Sequence, residues 1–139
     1  MFHKVLVPLD LTDKHGPAID LALRLVRPGE GEVILLHVVE LIPGLPLEEE
    51  REFYTRLEQT ARAHLKRYGE RLSQAKISWR EVVICGNRAW EIARQAADGG
   101  ADLIVLTAPR IDPDNPAAGW ASMSYKVSVL APCPVLLVK

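Results

Sequence analysis

Five short apolar segments alternate with helical patterns along this chain, and this alternation constrains the fold more than any other feature. Nearly continuous apolar runs of this length are typical of strands that are covered on both faces. Right-handed crossovers through helices return a chain to the same end of a sheet. The sequence therefore predicts an α/β fold with a five-stranded parallel sheet, although periodicity alone does not give the strand order. The expected strands are Lys4 to Leu9, Val33 to Val39, Ile77 to Cys85, Asp102 to Thr107 and Val135 to Val138.

Apolar residues at helical spacing fill the intervals between these runs. In the first interval we expect Thr12 or Asp13 to cap the helix, and Pro17 to lie in its first turn, where a missing N–H costs little. A second, longer helix is expected from about Glu48 to Leu72. The last helix is expected from about Trp120 to Leu130, with Leu130 facing inward.

Composition excludes several classes of function. The net charge is −1, so no overall field favours nucleic acid or an anionic membrane. Cys85 and Cys133 lie in or beside apolar strand patterns without metal-ligand spacing, which indicates inert core thiols and no metal site. The sequence shows no signal peptide, and no apolar run approaches the roughly 20 residues of a membrane span. We therefore expect a cytoplasmic location without membrane insertion.

Several short motifs carry a family resemblance through their order and spacing. They are VLVPLD near the start, LHVVE after the second strand, the Cys85-Gly86 turn, GADLIVL before the fourth strand ends, and APCPVLLVK at the end. Together they make residues 1–139 resemble a single universal stress protein domain. The resemblance implies a flavodoxin-like or Rossmann-like sandwich with strand order 3-2-1-4-5. It also implies a homodimer paired through the last strand.

The chemistry of the last strand agrees with such a dimer. An apolar strand at the edge of a sheet presents unpaired backbone groups that invite another chain. Pairing across a two-fold axis would satisfy this edge with its own copy. The residues expected at the interface are Val135, Leu136, Leu137 and Val138.

Many members of this family bind ATP through a motif that follows the fourth strand: Gly, two residues, Gly, nine residues, Gly, and then Ser or Thr. Glycines there let the backbone approach the phosphates. In this sequence Thr107 and Arg110 stand at the first two glycine positions, and Ala121 aligns with the third, one residue too far along. Only Ser122 is retained at its motif position. The intervening loop adds prolines, which lack N–H donors, and two aspartates, so the sequence disfavours the family's usual triphosphate site.

The half of the site that would hold adenosine is better preserved. The resemblance assigns Asp10 to the nucleoside, the Val38 backbone to the base, and Pro8 to the wall of the same pocket. Asp10 has an alternative interpretation, since a carboxylate at a strand end commonly orders a turn. His37, in an apolar strand, is expected to be a structural histidine satisfied by the backbone.

Three hypotheses follow. The first is a cytoplasmic, dimeric regulatory or interaction module with an unknown protein partner, no catalysis and no required cofactor. The second is an adenine-nucleotide-binding module for ATP, ADP or AMP that uses Asp10, Val38, Arg110 and Ser122. The third is a weak ATPase or nucleotidyl transferase, which no acid–base pair, metal cluster or activated nucleophile in the sequence supports.

Overall fold

Strands and helices alternate throughout the computed structural model, which describes residues 1–108, 113–114 and 122–139. The elements are β1 (Lys4–Pro8), α1 (Gly16–Leu25), β2 (Glu32–Val39), α2 (Arg51–Gln74), β3 (Ser78–Cys85), α3 (Arg88–Asp98), β4 (Leu103–Thr107), α4 (Met123–Leu130) and β5 (Val135–Val138).

All five strands are parallel and lie in the order β3-β2-β1-β4-β5, which confirms the parallel sheet predicted from the apolar runs and the strand order implied by the family resemblance. Val5 of β1 lies opposite Val33 of β2 on one side and opposite Leu103 of β4 on the other. The chain runs outward from β1 to β3, and then returns to the other side of β1 to build β4 and β5. Connections therefore leave β1 and β4 in opposite directions, which opens a crevice at the carboxyl ends of these two strands.

Side chains on the two faces of the sheet pack into two separate hydrophobic cores. Val5 and Val7 point to the face covered by α1 and α2, and Leu6 points to the face covered by α3 and α4. All three side chains are fully buried, as expected for a central strand covered on both faces. The two helical layers enclose β1, and β1 in turn positions the segment that follows it.

The beginning of α1 differs from the sequence prediction. Neither Thr12 nor Asp13 caps this helix, because the helix begins later, at Gly16. His15 occupies the cap position without making a side-chain capping bond, and its ring points back toward the end of β1 instead. Pro17 lies in the first turn as predicted.

The boundaries of the other helices also shift. The long helix α2 begins at Arg51 rather than Glu48. The predicted start of the last helix, Trp120, lies outside the described residues. Leu130 was expected to face inward, but it is 37% exposed because α4 ends there, and Val127 is the fully buried residue of that helix. No helix of the described part of the chain combines the length and the apolar character that crossing a membrane requires.

Tyr54 ties the segment between β2 and α2 to the core. Its side chain is 1% exposed. Its hydroxyl accepts a hydrogen bond from the Ile42 N–H at 2.9 Å and donates one to the Leu45 carbonyl at 2.6 Å. One buried side chain therefore satisfies two backbone groups of a segment that has no regular structure of its own.

We predict that Tyr54→Phe lowers the free energy of unfolding by about 1–3 kcal/mol, because the Ile42 N–H and the Leu45 carbonyl lose their partner while the ring stays in place. Chemical denaturation with a matched Tyr125→Phe variant tests this. Tyr125 is 52% exposed, so its hydroxyl should contribute little. Equal stability of the two variants would contradict the anchoring role.

Candidate functional site

A cleft of about 380 Å³, including its open mouth, lies at the carboxyl ends of β1 and β4. The position is the one where open α/β sheets bind ligands. The structure brings four of the residues predicted for nucleotide binding into its wall. They are Pro8, Asp10, Val38 and Thr107.

The predicted residues that follow β4 are placed differently. Arg110 and Ala121 lie outside the described residues. Ser122 precedes α4, and its Oγ accepts a hydrogen bond from the Tyr125 N–H at 3.2 Å. Among the described residues at the start of α4, Met123 lines the cleft wall and Ser122 does not. The hydroxyl of Ser122 therefore acts here as a helix cap.

The Asp10 carboxylate is held through a single oxygen. Its Oδ1 accepts hydrogen bonds from the Thr12 N–H at 2.8 Å and from the Thr12 hydroxyl. The same atom lies 2.7 Å from Nε2 of His15. Within the described residues, no hydrogen bond is made to Oδ2, and the side chain is 45% exposed. One carboxylate oxygen therefore orders the turn after β1, while the other remains available to a ligand.

These hydrogen bonds also fix the charge of Asp10. Partial burial alone would raise the pKa of this carboxyl, but the hydrogen bonds from Thr12 and His15 outweigh burial and lower the pKa to about 2. Asp10 therefore stays negatively charged across the physiological pH range.

His15 is a residue of the cleft that the sequence prediction missed. It is 5% exposed, and its ring bridges the ends of two strands. Nε2 contacts Asp10 after β1, and Nδ1 lies 2.9 Å from the Thr107 hydroxyl at the end of β4. The sequence does contain a feature that could have indicated this contact. Asp10 and Thr107 both follow predicted parallel strands, and the side chains at such strand ends share one edge of the sheet.

The backbone of Val38 faces the cleft because β1 ends before β2 does. Pairing between these strands stops at Pro8 opposite Leu36, and the Leu9 N–H donates to the Leu36 carbonyl at 2.8 Å. Backbone groups of alternate residues point to the same side of a strand. The N–H and C=O of Val38 therefore extend past the end of β1, where the edge of a planar base could bind them.

His37 supports this strand end from within the fold. Its Nδ1 lies 2.7 Å from the Leu9 carbonyl, which can only accept, so this nitrogen carries the proton. Burial lowers the pKa of His37, and the bond to Leu9 offsets part of that effect. The structural role predicted from the sequence is therefore the one observed.

Arg88 is the second residue of the cleft that the sequence prediction missed. It opens α3, and its Nε lies 3.4 Å from Oε1 of Glu40, with both side chains about half exposed. Asn87 caps the same helix by accepting a hydrogen bond from the Trp90 N–H at 3.1 Å. Since α3 follows the carboxyl end of β3, Arg88 adds a positive charge at the same edge of the sheet.

Neither Cys85 nor Cys133 is among the residues that line the cleft. Burial, together with the hydrogen bond to Glu58 and the charge of that carboxylate, raises the pKa of the Cys85 thiol to about 11. Burial also raises the pKa of Cys133. Both thiols are free, and both stay protonated near neutral pH, which makes them poor nucleophiles. The described residues contain no group of three His, Cys, Asp or Glu side chains that could hold a metal ion.

Known proteins match the chain along its whole length. The universal stress protein family model matches residues 1–139. The universal stress protein YxiE of Bacillus subtilis is 28% identical over 149 residues, and the match covers 100% of both chains. The solved structure of the hypothetical protein MJ0577 has a TM-score of 0.82 at 25% identity, covering 100% of this chain and 96% of that one.

Two further solved structures share the fold and contain nucleotides. A universal stress protein in complex with cAMP has a TM-score of 0.73 at 18% identity and covers 99% of this chain and 97% of its own. A universal stress protein family protein of Arabidopsis thaliana with AMP bound has a TM-score of 0.71 at 17% identity. The match covers 99% of this chain and 91% of that one. With the family model matching all 139 residues, the chain belongs to the universal stress protein family.

Proposed function

We propose that this protein is a regulatory module without catalytic activity, and that it binds an adenosine compound with a single phosphate in the cleft at the ends of β1 and β4. The observation that carries the proposal is the Asp10 carboxylate, which is fixed through Oδ1 and leaves Oδ2 for a ligand. An acidic side chain near a strand end is a recurrent partner of ribose hydroxyls in α/β nucleotide sites. The N–H and C=O of Val38, which extend past the end of β1, would bind the base.

Thr107 at the end of β4 favours a ligand with few phosphates over one with a long phosphate chain. Thr107 stands where the family's ATP motif begins with glycine, and its side chain reaches His15 across the cleft. A side chain at this position prevents the close backbone approach that a phosphate chain needs. Two proteins of this fold contain cAMP and AMP, which supports a ligand with a single phosphate. A cytoplasmic location and the absence of turnover remain predictions.

We predict that AMP binds at least as tightly as ATP, and that Asp10→Asn weakens AMP binding by about tenfold or more, a cost of about 1.4 kcal/mol. The amide retains an oxygen for the Thr12 donors but replaces the free oxygen with an NH₂ group, which cannot accept from a ribose hydroxyl. Calorimetric titration with and without Mg²⁺ measures both effects.

Asp13→Asn is the matched control, since it removes the same charge from an exposed neighbour outside the cleft. It should leave AMP affinity within about twofold. Absence of AMP binding up to millimolar concentration would refute the proposed site. Much tighter binding of ATP than of AMP would refute its selectivity. Phosphate release from ATP in the same samples would refute the absence of catalysis.

We further propose that the protein forms a homodimer through β5. In the described sheet β5 is an edge strand that pairs with β4 alone. Leu136 and Leu137 are 36% and 37% exposed, whereas their neighbours on β4, Val105 and Leu106, are buried. A second copy of β5 would pair the free edge and cover both leucines.

Leu137→Glu is therefore expected to convert the dimer to a monomer, because it places a charge at the centre of the paired edge. Analytical ultracentrifugation compares it with Ile42→Glu, which changes a similarly exposed residue (43%) in the segment between β2 and α2. The control should remain dimeric. A monomeric wild-type protein, or a dimeric Leu137→Glu variant, would rule out this interface.

A further inference from the structure

An apolar groove lies between helices α3 and α4, which pack side by side on the same face of the sheet. Its described lining residues include Ala89 and Trp90 of α3, together with Tyr125, Lys126, Val129 and Leu130 of α4. None of these residues lines the cleft at the ends of β1 and β4, and none belongs to β5. The groove is therefore a surface separate from the two that the proposed function uses.

Large apolar side chains of this groove are exposed far beyond what the fold itself requires. Trp90 is 64% exposed and Val129 is 65% exposed. Tyr125 and Val129 are four positions apart, so they lie on the same side of α4, one turn from each other. Ala89 is buried and forms the floor of the groove. A contiguous apolar surface that contains Trp and Tyr is typical of a protein interface.

The charge of the groove indicates the chemistry of its partner. Of the described residues that line it, Lys126 alone is charged, and it forms no ion pair with the described part of the chain. Residues 122–139 contain two lysines and no Asp or Glu. Glu91, the acidic residue that follows Trp90, is ion-paired with Arg94 of the same helix. A carboxylate of a partner would therefore complement Lys126 without a competing acidic group from α4.

Other occupants fit this surface less well. In an isologous contact with a second copy the same patch faces itself, and the described lining residues offer Lys126 no acidic partner. Nucleic acid draws most of its affinity from several phosphate contacts, whereas these lining residues include a single cation. The groove lies between two helices and away from the sheet edge, so a partner must bind through side chains and not by strand pairing.

We propose that the groove between α3 and α4 is a docking surface for an amphipathic helix of a partner protein, with acidic residues beside the apolar face of that helix. The apolar face packs on Trp90, Tyr125 and Val129, and a carboxylate pairs with Lys126. The inference goes beyond the proposed nucleotide site and does not depend on it, because the two surfaces share no lining residue.

The test uses two synthetic helical peptides of about 14 residues, or about four turns. Both carry leucines at the a and d positions of the heptad. The other positions hold alanines and glutamates in the acidic peptide, and alanines and lysines in the basic peptide. Fluorescence anisotropy at low salt should show that the acidic peptide binds the protein at least about tenfold more tightly than the basic one.

Lys126→Glu should reverse this preference, because it places a carboxylate where the acidic peptide needs a cation. Lys66→Glu is the matched control, since it makes the same charge change at an exposed residue of α2, on the other face of the sheet. This control should keep the preference for the acidic peptide. Trp90→Ala should weaken the binding of both peptides by about tenfold or more, while its thermal midpoint and its affinity for AMP stay at the wild-type values.

Equal affinity of the acidic peptide for the wild-type protein and Lys126→Glu, or undiminished binding by Trp90→Ala, would overturn the inference. Tighter binding of a single-stranded thymidine oligonucleotide than of the acidic peptide would overturn it in favour of nucleic acid. A change in the sedimentation of Trp90→Ala would assign the groove to self-association instead. Absence of acidic-peptide binding up to millimolar concentration would overturn the docking surface and leave the nucleotide site intact. Absence of AMP binding beside normal peptide binding would refute only the nucleotide site.

Discussion

The position of β1 between β2 and β4 is the constraint on which the rest of the site depends. β1 is paired along both edges and buried on both faces, and its carboxyl end therefore has a defined position in the sheet. The chain leaves β1 toward one side and β4 toward the other, and this divergence opens the space between their ends. The cleft follows from the order of the strands, and the residues just after β1 and β4 face each other across it.

The turn after β1 illustrates how structural and ligand-binding roles can share one side chain. An exposed aspartate is free to change rotamer, and a ligand would have to pay the entropy of fixing it. Here Thr12 and His15 fix Asp10 before any ligand arrives, and they do so through one oxygen. The two interpretations of Asp10 that the sequence left open, a turn-ordering residue and a nucleoside contact, are therefore compatible.

Sequence patterns predicted the fold well because its strongest determinants are local. The continuous apolar run of β1 required burial on both faces, and His37 within an apolar strand required a backbone partner, which Leu9 supplies. The strand order came from the family resemblance, since periodicity carries no information on which strands are neighbours. The start of α1 was predicted wrongly because Thr12 is bound to Asp10 instead of serving as the helix cap.

The cleft was predictable only in part. Pro8, Asp10, Val38 and Thr107 follow from motif positions, but the contact between His15 and Thr107 joins residues 92 positions apart. Whether a histidine ring turns toward such a partner depends on packing that no local pattern encodes. Arg110 and Ala121 lie outside the described residues, so the sequence-based hypotheses about them stay predictions.

A crystal structure of the protein with AMP would test the central claim most directly. We expect the nucleotide to lie in the cleft at the ends of β1 and β4. A ribose hydroxyl should lie at hydrogen-bond distance, about 2.6–3.2 Å, from Asp10 Oδ2, with the contacts of Oδ1 to Thr12 and His15 unchanged. AMP bound elsewhere, or held in this cleft without contact to Asp10, would contradict it.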